Sequence, residues 1–195
     1  KSNTLEKINT IHSIGADPCF VATTKKHIVT ADYSGGSISV FAQNADGSLT
    51  EAIQTIRREG KSIAPNQEKS HVHQVRFAPD GKLLVVSDLG TDQILLYHYD
   101  ENAPIEVLVP ADSANVKTGS GPRHFEFSAD GKWLYLLHEN DGTITVLSLS
   151  ENGKINIKQE TSVVIDKTAV CSAADIHFSP DGRFLYASNR GTANS

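Results

Sequence analysis

Residues 71–100 read HVHQVRFAPDGKLLVVSDLGTDQILLYHYD, residues 121–150 read GPRHFEFSADGKWLYLLHENDGTITVLSLS, and residues 172–195 read SAADIHFSPDGRFLYASNRGTANS. Laid over one another, the three share a short strand-like run, a turn ending in Gly81, Gly131 or Gly182, and a longer apolar run. Self-similarity at a period of about fifty residues marks a repeat architecture. A fainter copy, GADPCFVATTKKHIVTADYSGGSISVF at residues 15–41, aligns Asp32 with Asp88.

Asp-Gly between apolar runs is a strong hairpin signal, because such turns need positive φ, which glycine adopts at little steric cost. A second Gly-containing turn follows in each copy (SGGS, LGTDQ or NDGT), and a third (NADGS or ENGK) leads into a weaker strand such as LTEAIQTI or INIKQET. Each unit thus has four antiparallel strands. The central runs LLVVS, WLYLL and FLYAS are apolar at consecutive positions. Strands of that kind are covered on both faces. Four-stranded units of this length, each packed between neighbours, predict an all-β fold, a β-propeller of four-stranded antiparallel blades.

The sequence reads as a single domain, a partial β-propeller over 1–195. It divides into an outer strand of a preceding blade at 1–14, blades at 15–58, 71–110 and 121–165, and an incomplete blade at 172–195. The connections at 57–70 and 110–120 read as loops. A propeller must close on itself, so the expectation is a piece of a longer chain.

Composition narrows the partners. The net charge of −5, without a long Lys/Arg block, gives no footprint for nucleic acid. No window has the roughly 18 apolar residues of a membrane span, and the opening KSNTLEKINT lacks a signal-peptide core. Cys19 and Cys171 are too few for a disulfide framework and read as buried free thiols, which favours a reducing compartment and a cytoplasmic location.

The repeat alignment singles out unusual polar residues. Four positions before the first-strand Phe stand His73, Arg123 and Ala174, with Asp17 matched to them in the faint copy; the second strands end in Tyr33, Leu89, Glu139 and Arg190. In an antiparallel hairpin, the start of one strand and the end of the next lie at the same end of the sheet. His73, Arg123, Glu139 and Arg190 are therefore expected on one face, opposite the PDG turns. Arginine suits bidentate binding of carboxylate or phosphate and can stabilise an oxyanion, while His or Glu can carry a proton. The spacing equally fits a plain structural ion pair between Arg123 and Glu139. His71 and His73 point to opposite faces of a regular strand, which disfavours joint metal ligation, and there is no zinc-type His/Cys cluster. No G-x-S-x-G elbow is present, so a serine nucleophile has no support.

The strings GPRHFEFSADGKWLYLLHE, AADIHFSPDGRFLYASNR and HVHQVRFAPDG resemble the lactonase family of seven-bladed β-propellers, whose members include 6-phosphogluconolactonases and carboxymuconate lactonizing enzymes. The resemblance runs from Gly15 onward. It implies a metal-independent lactone hydrolase without a cofactor, acting on an anionic sugar lactone such as a 6-phosphogluconolactone. Cyclisation of a carboxymuconate is the alternative, and a non-catalytic interaction scaffold a second. The catalytic residues it implies are His73, Arg123, Glu139 and Arg190, with His71, His124, Asp175 and His177 in substrate-binding or supporting places. Seven blades need on the order of 350 residues, so the chain is expected to be about half of the ring. Its terminal blades are expected to expose apolar faces capable of self-association.

Overall fold

The turns that mark the repeat are backbone devices. In the computed structural model, which describes residues 4–150, 152–165 and 170–191, Gly81, Gly131 and Gly182 adopt φ of 69°, 70° and 70°. The preceding aspartates close each hairpin: Asp80, Asp130 and Asp181 accept from the backbone N–H of Lys82, Lys132 and Arg183 at 3.0, 3.1 and 3.1 Å.

Three four-stranded sheets and one two-stranded sheet result, all antiparallel among the described residues. The first contains β1 (Pro18–Thr23), β2 (His27–Asp32), β3 (Ser37–Gln43) and β4 (Leu49–Arg57). The second contains β5 (Val72–Phe77), β6 (Leu83–Asp88), β7 (Gln93–Tyr99) and β8 (Leu108–Asn115). The third contains β9 (Pro122–Phe127), β10 (Trp133–His138), β11 (Thr143–Leu149) and β12 (Ile155–Ser162), and the last β13 (Ala173–Phe178) and β14 (Leu185–Asn189). The strand order in each sheet is the chain order. The first strands pack in succession, β1 on β5, β5 on β9 and β9 on β13. Sheets that meet along their first strands in this way are the blades of a β-propeller.

The consecutive apolar residues of the second strands have a direct cause. Leu84 and Val86 of β6 join Val29, Val40 and Val75 in one core, whereas Leu83 and Val85 join Phe125, Leu134 and Leu136 in the next. The strand sits between two cores, so both of its faces are covered. In β10, Leu136 faces the second core and Leu137 faces a third, with Ile144 and Ile176. Fully burying each such side chain contributes roughly 1.5–3 kcal/mol.

Two expectations are corrected. Residues 110–115, read as loop, form most of β8. This outer strand is half exposed and polar, and it carries Pro110, which an edge position tolerates, so neither apolar periodicity nor absence of proline marked it. Of residues 1–14, expected as an outer strand, 1–3 lie outside the described residues and 4–14 carry no strand. Their anchor is the Asn9 side chain, which donates to Leu49 O at 2.8 Å and accepts from Leu49 N at 3.1 Å. On the last hairpin Phe184 and Tyr186 are 54% and 61% exposed.

Polar hubs, buried in the second and third sheets and partly buried in the last, fix the strand ends opposite the PDG turns. The Asp88 carboxylate accepts from Ser70 Oγ, His71 N and Gly90 N at 2.7, 2.9 and 3.1 Å. His138 occupies the same place in the third sheet, between Ser120 Oγ at 3.0 Å and Thr145 Oγ1 at 2.8 Å. Asn189 accepts from Ser172 N at 2.9 Å in the last. Each hub precedes a residue whose position the repeat had singled out: Leu89, Glu139 or Arg190.

Candidate functional site

One irregularity recurs in every first strand. Pro18 pairs with Asp32 but Phe20 with Ala31, which leaves Cys19 as an extra residue. Val72 pairs with Asp88 and Gln74 with Ser87, leaving His73. Pro122 pairs with His138 and His124 with Leu137, leaving Arg123. In β13 the register slips between Ala173 and Ile176. A β-bulge of this kind bends the strand and re-aims a side chain, and such bulges concentrate beside active sites.

The bulged residues meet the ends of the second strands around one open cavity of about 620 Å³, lined by Asp17, Pro18, Cys19, Tyr33, His73, Arg123, His124, Glu139 and Arg190. Its centre is a carboxylate shared by two guanidinium groups. Arg123 Nε donates to Glu139 Oε2 at 2.7 Å, and Arg190 Nη2 lies 3.0 Å from the same oxygen. Arg123 also donates through Nη1 to Ala174 O of the next blade, and Arg190 through Nε to Ser172 O at 3.3 Å. The Arg123 and Glu139 side chains are 14% and 19% exposed against 51% for Arg190, so Arg190 is the guanidinium most open to an incoming ligand.

Apart from the Asp17 carboxylate at the rim, the remaining walls are largely uncharged. Burial, reinforced by the positive charge of Arg123, His124 and Arg190, pushes the His73 pKa down to about 3, so its ring is neutral near pH 7. Its Nδ1 is buried without a partner among the described residues. Burial raises the Cys19 thiol to about 11. The residue as a whole is exposed, yet its Sγ tucks against the carbonyls of His73, Ala31 and Val72 at 3.2, 3.6 and 3.6 Å. Cys19 is therefore a protonated wall, not a nucleophile in waiting, and the expectation that this residue is buried is corrected. The Tyr33 hydroxyl is pushed up by burial and by the negative charge of Glu139 and Glu68.

The structure brings His73, Arg123, Glu139 and Arg190 together, and His124 with them. His71 does not line the cavity: its ring stacks on Tyr33 at 4.3 Å, with Nδ1 3.1 Å from Tyr33 O and Nε2 3.2 Å from Glu68 Oε1. The bulge explains why, since it turns His73 inward and leaves His71 behind Tyr33. Asp175 and His177 also lie outside the lining. Asp175 braces His124 from behind at 2.8 Å, and the exposed His177 lies 3.1 Å from Asp175 and 3.3 Å from Glu126.

The sequence missed Cys19. It matched Asp17 to His73, whereas the bulges make Cys19 the equivalent, because the β1–β2 connection, residues 24–26, is two residues shorter than residues 78–82 between β5 and β6. Asp17, held at φ 54°, still reaches the cavity rim. Among the described residues no three His, Cys, Asp or Glu side chains converge in a way that could hold a metal ion, and no helix is long and apolar enough to cross a membrane.

Residues 1–195 match the family model described as lactonase, 7-bladed beta-propeller. A 6-phosphogluconolactonase of Formosa agariphila is 34% identical over 191 residues, which cover 96% of this chain and 54% of that protein. A crystal structure from Bacteroides fragilis, assigned as a candidate 6-phosphogluconolactonase, superposes with a TM-score of 0.89 at 41% identity, covering 96% of this chain and 54% of the other. The periplasmic gluconolactonase of Pseudomonas aeruginosa superposes with a TM-score of 0.86 at 32% identity, covering 93% and 52%. The chain spans about half the length of the relatives it matches, as its three four-stranded sheets and one hairpin span about half of a seven-bladed ring.

Proposed function

The chain belongs to the lactonase family of seven-bladed β-propellers, and on that premise we propose that the protein containing it hydrolyses the lactone ring of an anionic sugar, a 6-phosphogluconolactone in the first place. The observation that carries this reading is the pair of guanidinium groups on Glu139. Two cations share the one Glu139 carboxylate, so the clamp itself keeps a positive side for an anion, with the Asp17 carboxylate at the rim, and a planar guanidinium matches phosphate or carboxylate oxygens. Along the reaction, water adds to the lactone carbonyl and the carbonyl oxygen becomes an oxyanion. A fixed guanidinium at that point, in a cavity with few other charges, stabilises it before the ring C–O bond breaks. Glu139 holds both arginines in place, and His73 and Tyr33 supply walls that remain neutral.

A cytoplasmic location is part of the proposal and is supported by two cysteines that stay free; cell fractionation checks it. The activity is tested by following acid release above the uncatalysed rate with 6-phosphoglucono-1,5-lactone, glucono-1,5-lactone and a carboxymuconate, using the native protein. The expected order is fast hydrolysis of the phosphorylated lactone, slower hydrolysis of the neutral one, and no cyclisation of the muconate. Cyclisation without hydrolysis would overturn the reading in favour of the reverse-sense chemistry, and no turnover of any of the three would favour a scaffold.

A further inference from the structure

The cavity holds two imidazoles, and they differ in what stands behind them. His73 is 8% exposed, and its Nδ1 is enclosed without a partner among the described residues. His124 lines the same cavity but has its Nδ1 2.8 Å from Asp175 Oδ1, on the neighbouring blade. That carboxylate is itself fixed: Oδ1 accepts from Ile176 N at 3.0 Å and Oδ2 lies 3.1 Å from His177 Nε2. The His124 ring is held edge-on by Phe20 at 5.6 Å and His73 at 5.0 Å.

From this juxtaposition we infer that His124 is the proton-carrying residue of the cavity and that Asp175 is its positioning residue. The inference rests on the lactonase reading and adds to it the group that handles the proton.

An ionised carboxylate only accepts hydrogen bonds, so the His124 nitrogen facing Asp175 carries the hydrogen and Nε2 is left with its lone pair. No protein group among the described residues bonds Nε2. Burial would raise the Asp175 pKa, yet the hydrogen bonds from His124 and Ile176 and the charges of His124 and His177 bring it below its ordinary value, which keeps the carboxylate ionised. Burial lowers the His124 pKa, Asp175 opposes that shift, and Arg123 and His177 add to it. The groups around the ring are thus Asp175 and His177 from β13, His73 from β5, Arg123 from its own strand, and Cys19 and Phe20 from β1. Oriented base, carboxylate behind it, and guanidinium groups across the cavity make up the parts list for assisted attack of water.

The step balances without a further reactant. Water oxygen bonds to the lactone carbonyl carbon while Nε2 takes one of its protons. The tetrahedral oxyanion then re-forms the carbonyl, the ring C–O bond breaks, and the leaving alkoxide takes the proton back from Nε2. The product is the open hydroxy acid, which releases its acidic proton to solvent.

The test measures kcat, KM and the pH dependence of kcat/KM for the native protein and its His124→Gln, Asp175→Asn and Asp175→Glu variants, with melting curves to establish that each folds. Expected is a fall in kcat of about 100-fold or more for His124→Gln with KM little changed. Asp175→Asn is expected to move the acidic limb of kcat/KM to lower pH, because the charge that supports the His124 imidazolium is gone, and Asp175→Glu to restore part of the rate. A folded His124→Gln protein that keeps kcat within about 3-fold, or an acidic limb unmoved in Asp175→Asn, overturns the inference and leaves the lactonase reading standing. Absence of lactone turnover by the unaltered protein overturns the lactonase reading itself, and this inference with it.

Discussion

Arg123 and Glu139 face each other across the β9–β10 hairpin, Nε to Oε2 at 2.7 Å, and the same oxygen is shared with Arg190 at 3.0 Å. The contact that would have been a plain ion pair in a single blade is a three-way clamp between two, because Arg190 comes from the end of the next hairpin.

That clamp makes Arg123 intolerant of lysine. Its fork reaches Glu139 through Nε and Ala174 O through Nη1, and a single ammonium cannot make both bonds in that geometry. Arg123→Lys is expected to lower kcat/KM for the phosphorylated lactone by about 100-fold or more, measured by acid release. Retention of at least a third of the rate would show that charge alone suffices.

Removing the central carboxylate acts in the opposite sense on binding. Glu139→Gln frees two guanidinium groups from their internal anion, so the variant is expected to bind inorganic phosphate several-fold more tightly in calorimetry while turning over more slowly. Weaker phosphate binding than in the unaltered protein would place the anion site elsewhere.

Acid stability follows from the buried imidazole. The His73 pKa lies at about 3 in the fold against an ordinary 6.5, so the unfolded chain takes up the proton first. The stability from keeping His73 neutral is complete above pH 6.5 and is lost as the pH falls from 6.5 towards 3, at about 1.4 kcal/mol per unit, or about 3 kcal/mol by pH 4.5. Urea unfolding at pH 7.5 and 4.5 is expected to show a smaller loss in His73→Gln than in the unaltered protein by about that amount. Equal losses in the two would mean that the ring is not held neutral by the fold.

Two glycines separate backbone strain from steric exclusion. Gly81 has φ 69° and open space where a Cβ would go, so Gly81→Ala is expected to cost about 1 kcal/mol and to leave turnover unchanged, since the turn lies at the far end of the sheet. At Gly90 a Cβ would come 1.8 Å from Lys69 O and 2.7 Å from His71 N. Gly90→Ala must therefore displace the segment leading into His73, at about 3 kcal/mol or more. Urea midpoints for the two variants check the order, and a Gly90→Ala protein as stable as Gly81→Ala would contradict the packing.

The parts of this molecule legible in sequence are those in which one interaction repeats. Asp-Gly turns recur in the second, third and last hairpins, and consecutive apolar residues in β6 and β10 reflect the same two-sided burial; together they placed the second strands and the common end of the sheets. The outer strand β8 was not legible, since its polar residues face solvent and nothing periodic is left to read. The bulges were the larger omission. One extra residue in a strand leaves no compositional mark, yet it decides that His73 lines the cavity and His71 stacks on Tyr33. A connection two residues shorter made Asp17, not Cys19, appear to be the partner of His73. His124 drew little weight as a neighbour of Arg123, and only the approach of Asp175 from the next blade gives it a role.

The proposed site opens a sugar lactone between the guanidinium pair on Glu139 and the imidazole of His124. A crystal structure of the native protein with the product acid, 6-phosphogluconate, tests it most directly. The account predicts the acid in the cavity bounded by Arg123, Glu139 and Arg190, with an oxygen of its C1 end within hydrogen-bond distance of a guanidinium and of His124 Nε2. Product bound elsewhere on the propeller, with this cavity unchanged, would contradict it.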